Sequence, residues 1–306
     1  MTTLRHVAFL LPFLAATPAL AQVFDQGRVE TRDFRSPEME AQAGHGIETE
    51  NMFGFTLGSD VDGKGSRAIA FEAIGLIGAR TGRYGAVGGK LEYSYGATDN
   101  ISVSGSLLGG WRNIANVPGM ADLNALAFDG VGGEVRWRFI DRKDGPFGLT
   151  LHIEPALRTT DEITGERGQG WSMENKLILD KGLMNDKLFV ATNVLYNLES
   201  FRPNGNPLEQ ASTAGLSGAM SYQVAPGVFV GADVRYLAAF QGLAFDRFAG
   251  WAVFMGPTMF WHFSDRAWLS ATYVFQVAGH ELGMPNTYDL GNFTRQAFRF
   301  KIGMEF

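Results

Sequence analysis

Along most of this chain apolar and polar residues alternate one for one. The last ten residues show the pattern plainly. Phe298, Phe300, Ile302, Met304 and Phe306 are apolar, and Arg299, Lys301 and Glu305 fall between them. A period of two places the two sets on opposite faces of an extended strand. Stretches of this character recur near 47–58, 66–79, 86–97, 101–112, 127–140, 147–158, 171–181, 187–199, 211–224, 228–239, 248–263, 267–278 and 294–306, separated by turn residues. The connections at 98–100, 141–146, 184–186, 225–227 and 264–266 are short. Those at 113–126, 159–170, 200–210, 240–247 and 279–293 are longer, and the two kinds alternate from residue 98 onward. The fold class this predicts is all-β: a transmembrane antiparallel up-and-down β-barrel with short periplasmic turns and longer extracellular loops.

The final strand sets the count. If 294–306 runs inward and ends in the periplasm, stepping backward makes 66–79 run outward. The stretch 47–58 would then have to begin outside the cell, which a chain arriving from the periplasm does not allow. The expectation is twelve strands in 66–306, with 47–65 forming a plug or periplasmic-mouth segment and Phe53, Phe55 and Leu57 a constriction. The rival is fourteen strands with 47–58 as the first. Pro155 and Pro257 fall inside predicted strands, where each removes a ladder hydrogen bond, and Pro257 predicts a bulge or kink.

All six tryptophans lie at predicted strand ends. Trp111, Trp171 and Trp251 mark the outer ends; Trp137, Trp261 and Trp268 mark the inner ends. All but Trp268 share the parity of the apolar face. Two aromatic girdles at the membrane interfaces are the expectation. The C-terminal Phe300, Ile302, Met304 and Phe306 read as an outer-membrane assembly signal, with lipids and the barrel-assembly machinery as partners.

Parity also assigns the lumen wall. It comprises Glu72, Lys90, Glu92, Glu134, Arg136, Arg138, His152, Glu154, Arg158, Glu174, Lys176, Asp180, Asn193, Asn197, Asp233, Arg235, Arg299, Lys301 and Glu305. Facing lipid, an Arg or Lys at the midplane would cost roughly 2–4 kcal/mol. Acids and bases on this wall balance. That argues against a strongly ion-selective pore and fits either a cross-strand-paired wall or a surface lining a conduit.

At the front, Arg5, the apolar run Val7 to Leu14 interrupted by Pro12, and Ala19-Leu20-Ala21 before Gln22 form a secretory signal peptide over 1–21. Residues 22–46 are polar and aperiodic and read as a flexible periplasmic segment. These features place the protein in a bacterial outer membrane. The 306 residues contain no cysteine, five histidines and a net charge of -6. This excludes a disulfide scaffold and a thiol nucleophile, and disfavours a zinc centre and a nucleic-acid partner. No cofactor or metal is expected. Mean hydropathy is -0.04, as befits a chain whose lumen and lipid positions alternate. Glycine, at 39 residues, is abundant.

A lipid hydrolase is the enzymatic alternative, and it needs a nucleophile and base in reach of each other. His262-Phe263-Ser264 lies at an inner turn, away from the outer leaflet. His152 and Glu154 share a face among other charges, and His280-Glu281 sits in the last outer loop near Tyr288 and Asp289. None forms a catalytic set in sequence, so no catalytic residue is assigned. Asp60-Val61-Asp62-Gly63 opens like a calcium loop but lacks the later ligands and reads as a turn.

The segments IETENMFGFTLGSDVDGKG (47–65), FGLTLHIEP (147–155), VAPGVFVGADVRYL (224–237) and GLAFDRFAGWAVFMGPTMF (242–260) resemble uncharacterised proteobacterial outer-membrane barrels of the phenol meta-pathway transporter type. The resemblance spans most of the mature chain. It implies a channel for small, hydrophobic or aromatic molecules and supplies no catalytic residues. A structural or adhesive barrel with a sealed lumen is the third reading.

Overall fold

The computed structural model describes residues 47–306; the proposed signal peptide and the 22–46 segment lie outside the described residues. Twelve strands follow one another in chain order: β1 (Arg67–Ile77), β2 (Arg83–Thr98), β3 (Ile101–Ala115), β4 (Leu123–Ile140), β5 (Gly148–Thr160), β6 (Arg167–Leu183), β7 (Leu188–Pro203), β8 (Glu209–Ala225), β9 (Val228–Gln241), β10 (Arg247–Ser264), β11 (Ala267–Glu281) and β12 (Gln296–Glu305). Each pairs antiparallel with its sequence neighbours. β12 returns to β1, in register from Ala68↔Glu305 to Ile77↔Gln296, and closes the barrel. Closure removes the open sheet edge that a lipid environment does not tolerate.

The alternation seen in the sequence becomes two surfaces. Phe71, Leu91, Leu107, Phe128, Val194, Met220, Met255 and Met304 are exposed on the outside, while Glu72, Glu92, Asn193, Asp233 and Lys301 are buried inside. With the apolar face outward and the charged face enclosed, this is an outer-membrane barrel. Trp137 packs with Phe139 at 4.7 Å and Trp261 with Phe263 at 5.5 Å at the inner ends; Tyr236 stacks on Trp251 at 5.9 Å at the outer end.

Several expectations need correction. Residues 47–58 form turns, not a strand, so the fourteen-strand alternative fails. Trp268 does not join the inner girdle. It is buried on the lumen side against Phe260, at 6.1 Å, because its parity is that of the charged face. The long outer loops shrink, since strands continue past the predicted ends and leave only 116–122, 161–166, 204–208 and 242–246 between them. The last, 282–295, stays long. Pro257 causes no slip: Met255↔Phe275 and Thr258↔Thr272 keep one register across it, and the break falls instead at Val253/Phe254.

One bulge matters for the lumen. The β3–β4 register shifts between Leu108 and Gly109, opposite Gly130, whose φ is 143°. A Cβ there would meet the Leu157 carbonyl oxygen at 1.9 Å, so only glycine fits. The extra residue turns Asp129 inward, though the parity of Val131, Val135 and Trp137 would send it to lipid.

Candidate functional site

The wall residues converge on the segment 47–62, which is held inside the barrel near the periplasmic strand ends by contacts from almost every side. Arg136 of β4 donates from Nη2 to the Gly58 and Asp60 carbonyls at 2.6 and 2.9 Å. Thr150 of β5 donates to the Ser59 carbonyl at 2.5 Å. Asp180 of β6 accepts Ser59 N–H at 3.0 Å and Ser59 Oγ–H at 2.5 Å, and also receives the Thr49 hydroxyl. Asn193 of β7 brackets Leu57, accepting its N–H at 2.8 Å and donating to its carbonyl at 2.9 Å. Asp233 of β9 accepts Thr56 N–H at 2.8 Å, and Arg299 of β12 donates to the Gly54 carbonyl. These bonds replace the ladder that an irregular buried segment lacks. Beneath them Met52 and Phe53 pack into a fully buried cluster with Phe189, Phe229, Phe260 and Trp268.

Acids on this segment feel the enclosure. Burial lifts the Glu50 carboxyl to about 7, against the pull of Arg136. Burial also raises Asp60, opposed by Arg142, whose guanidinium meets it at 2.8 Å.

Above the segment lies a cavity of about 480 Å³. Its lower belt is ionic. Glu72 pairs with Arg299 at 2.8 Å; Lys90 pairs with Glu92 at 3.1 Å and Glu154 at 2.9 Å; Lys301 reaches Glu92 at 3.3 Å. His152 stands among three carboxylates, with Glu134 Oε1 at 3.6 Å from Nδ1, and Glu154 Oε2 and Glu174 Oε1 at 3.6 and 3.5 Å from Nε2. Lys176 meets Glu174 at 2.5 Å. Donor atoms of Glu134, His152 and Glu154 lie within 4.8 Å of one another, as a metal ion would need. Glu134 and Glu154 face different ring nitrogens, however, and Lys90 already holds Glu154, so the set does not converge on one ion. Arg158 pairs with Glu162 at 3.1 Å, and Asn197 donates to Glu174 at 3.5 Å. Arg138 stands at the periplasmic rim on Asp141 at 2.9 Å and the Asp99 carbonyl at 2.7 Å.

The upper wall is mixed: Leu76, Leu108, Leu195, Leu237, Phe254 and Ala297 form its apolar part, and Arg158, Glu162 and Glu199 line the same cavity from β5, the 161–166 loop and β7. Leu290 and Phe293 from the 282–295 loop reach into it, Phe293 lying edge-on to Phe254 at 6.2 Å. Buried Gln276 fastens that loop, accepting Asp289 N–H at 2.6 Å and donating to the Asp289 and Thr294 carbonyls at 3.0 and 3.2 Å. Tyr288 lies under the Arg295 guanidinium at 3.6 Å, and Glu281 pairs with Arg80, not with His280.

Two groups escaped the sequence reading. Arg112 and Asp129 form a fully buried two-pronged ion pair at 2.7 and 2.8 Å, with Arg112 also reaching the Glu162 carbonyl at 3.2 Å. Parity opposite Trp111 marks Arg112 as inward; the bulge hid Asp129. Gln276 carries the lumen parity between Phe275 and Val277 and was legible on that basis. Among the described residues, no histidine side chain is hydrogen-bonded to a serine or threonine hydroxyl.

The sequence profile described as a family of unknown function, DUF6662, matches residues 45–306. No curated protein matches the chain in sequence. Among solved structures, the COG4313 outer membrane channel from Pseudomonas putida F1 is similar in fold, with a TM-score of 0.57 at 12% identity over 81% of this chain and 98% of that one. The beta domain of the Bordetella autotransporter BrkA is also similar, with a TM-score of 0.51 at 16% identity over 80% of this chain and all of that domain (100%).

Proposed function

We propose that this chain, which belongs to that family of unknown function, is an outer-membrane channel for small hydrophobic molecules, closed on its periplasmic side by residues 47–62. The observation that carries the reading is the two-tier cavity. A lumen serving only as a structural post would be filled by side chains, whereas here about 480 Å³ stays open, with a large apolar part to its upper wall. That size suits a small organic solute. The fold shared with a solved outer-membrane channel supports the same reading.

Residues 47–62 act as the plug in this proposal, with Phe53, Phe55 and Leu57 as its constriction. Aromatic solutes are the class favoured by the resemblance to barrels of the phenol meta-pathway type. The charged belt keeps the lower lumen wetted without selecting strongly for either sign, because its charges are paired. Phe300, Ile302, Met304 and Phe306 serve as the assembly signal read by the barrel-assembly machinery. The domain scheme is a cleaved 1–21, a periplasmic 22–46, the plug and the barrel.

Planar-bilayer recording of the full chain and of a variant lacking 47–58 tests this directly. The deletion should raise single-channel conductance, and liposomes carrying it should take up toluene faster. Unchanged conductance together with unchanged uptake would leave a sealed structural barrel as the reading.

A further inference from the structure

Arg235 stands apart from the other lumen arginines. Arg112, Arg136, Arg138, Arg158 and Arg299 each donate at least one hydrogen bond to the protein. Among the described residues, Arg235 donates none. Its Nε is buried without a hydrogen-bond partner; Asp233 Oδ1 lies 3.8 Å from it while the other oxygen accepts Thr56 N–H, and Glu174 and Arg299 act on the guanidinium from farther away with opposite signs. The guanidinium is nevertheless fixed in place. It lies over the Phe55 ring at 3.6 Å and 5.4 Å from the centre of the Phe254 ring, and it lines the cavity.

This arrangement is costly without a ligand. A guanidinium carries five N–H donors in a planar fork; here Nε is buried and unmatched while the Nη donors face the cavity without a protein acceptor among the described residues. Stacking between two rings holds the plane but satisfies no donor. The geometry that completes it is a carboxylate, whose two oxygens accept from the fork in parallel. The position of Arg235 then dictates the rest of the ligand. Along β9 the next residue on the same face is Leu237, which packs against the cluster of Phe254 and Ala297 that Phe293 and the plug's Phe55 also meet. A head group on Arg235 therefore directs its body into an apolar chamber.

We infer that the cavity binds small monocarboxylates with an apolar body, aromatic or branched, the carboxylate held by Arg235 and the body enclosed by Leu237, Phe254 and Phe293. This rests on the channel reading above and narrows its solute class. The same contact ties the ligand to the plug. Phe55, under the guanidinium, belongs to the segment that Asp233 holds two residues away on β9, so the head group sits where the plug is docked.

The test is calorimetric titration of the detergent-solubilised full chain at neutral pH with 4-tert-butylbenzoate and its neutral isostere 4-tert-butylbenzyl alcohol. The carboxylate should bind at least about tenfold more tightly. Arg235→Met keeps the length of the stem and should erase the difference while leaving the alcohol bound. Leu237→Trp fills the chamber and should abolish binding of both. Heat-modifiable migration on gels verifies that each variant is a closed barrel. Equal affinity of the two probes for the wild-type chain would overturn the inference, and needs no variant to show it. That outcome would leave a channel for neutral solutes standing, whereas unchanged conductance and uptake on deleting 47–58 would remove the channel itself.

Discussion

Lys90 on β2 meets Glu154 on β5 at 2.9 Å, although β3 and β4 separate those strands along the wall. Lys301 on β12 likewise reaches Glu92 on β2 past β1. The ionic belt therefore ties strands that share no ladder. Removing one member leaves a poorly solvated charge. Lys90→Ala should destabilise the barrel by about 1–3 kcal/mol, less than the loss in a dry interior because the cavity borders the belt. Glu154→Ala should cost a similar amount, and the Lys90→Ala/Glu154→Ala double variant should lose less than the sum of the two. Unfolding midpoints of the four proteins in urea give the coupling, and strictly additive losses would show that the pair does not interact.

Asp180 is the most connected anchor of the inner segment, binding both Ser59 and Thr49. Asp180→Ala leaves the Ser59 N–H and hydroxyl without a partner, while Thr49 keeps Asp60 at 3.1 Å, at about 1–3 kcal/mol for a buried group. The segment should then undock more often, seen as faster cleavage within 47–62 by an added protease and as larger conductance fluctuations. A cleavage rate equal to wild type would contradict this role.

Docking should also depend on pH. Burial raises Glu50 to about 7, and Asp60 moves the same way. The docked segment therefore holds protons that the released segment gives up above the ordinary carboxylate range. Docking is favoured at acid pH and weakens as pH rises through about 7. Protection of 47–62 from protease should fall between about pH 5 and about pH 8, and Glu50→Gln should flatten the profile. Protection that rises with pH would reverse the assignment.

Gly130→Ala places a methyl group on the Leu157 carbonyl at a φ of 143°. The strain should cost more than about 2 kcal/mol or displace the bulge and swing Asp129 away from Arg112. Heat-modifiable migration and urea midpoints report either result. Wild-type stability would mean that the bulge tolerates a side chain.

Trp268 and Trp261 offer a test of sidedness. In single-tryptophan variants reconstituted with brominated lipids, Trp261 should be strongly quenched and Trp268 spared, since Trp261 is exposed outside and Trp268 is buried in the lumen cluster. Equal quenching would return Trp268 to the girdle.

The alternation of apolar and polar residues was enough to determine the antiparallel up-and-down order, the lipid-facing surface and, away from the Gly130 bulge, which charges point inward. A two-residue period against a bilayer leaves little freedom, because each slip of one residue would put Arg299 or Lys301 into lipid. Counting directions from the C-terminal strand pointed to 47–58 lying outside the wall, with fourteen strands as the rival that only the closed twelve-strand order removed. What parity could not supply was anything that depends on distance across the lumen. Residues on β2 and β5, or on β9 and the 47–62 segment, have no sequence relationship that announces their contact, so the Lys90–Glu154 pair and the seat of Phe55 under Arg235 arise only when the barrel closes. The bulge at Gly130 reversed parity for Asp129, and the inward fold of 282–295 depends on Gln276 meeting a loop that carries no period of its own. Local pattern decided the wall; closure of the sheet decided what the wall encloses.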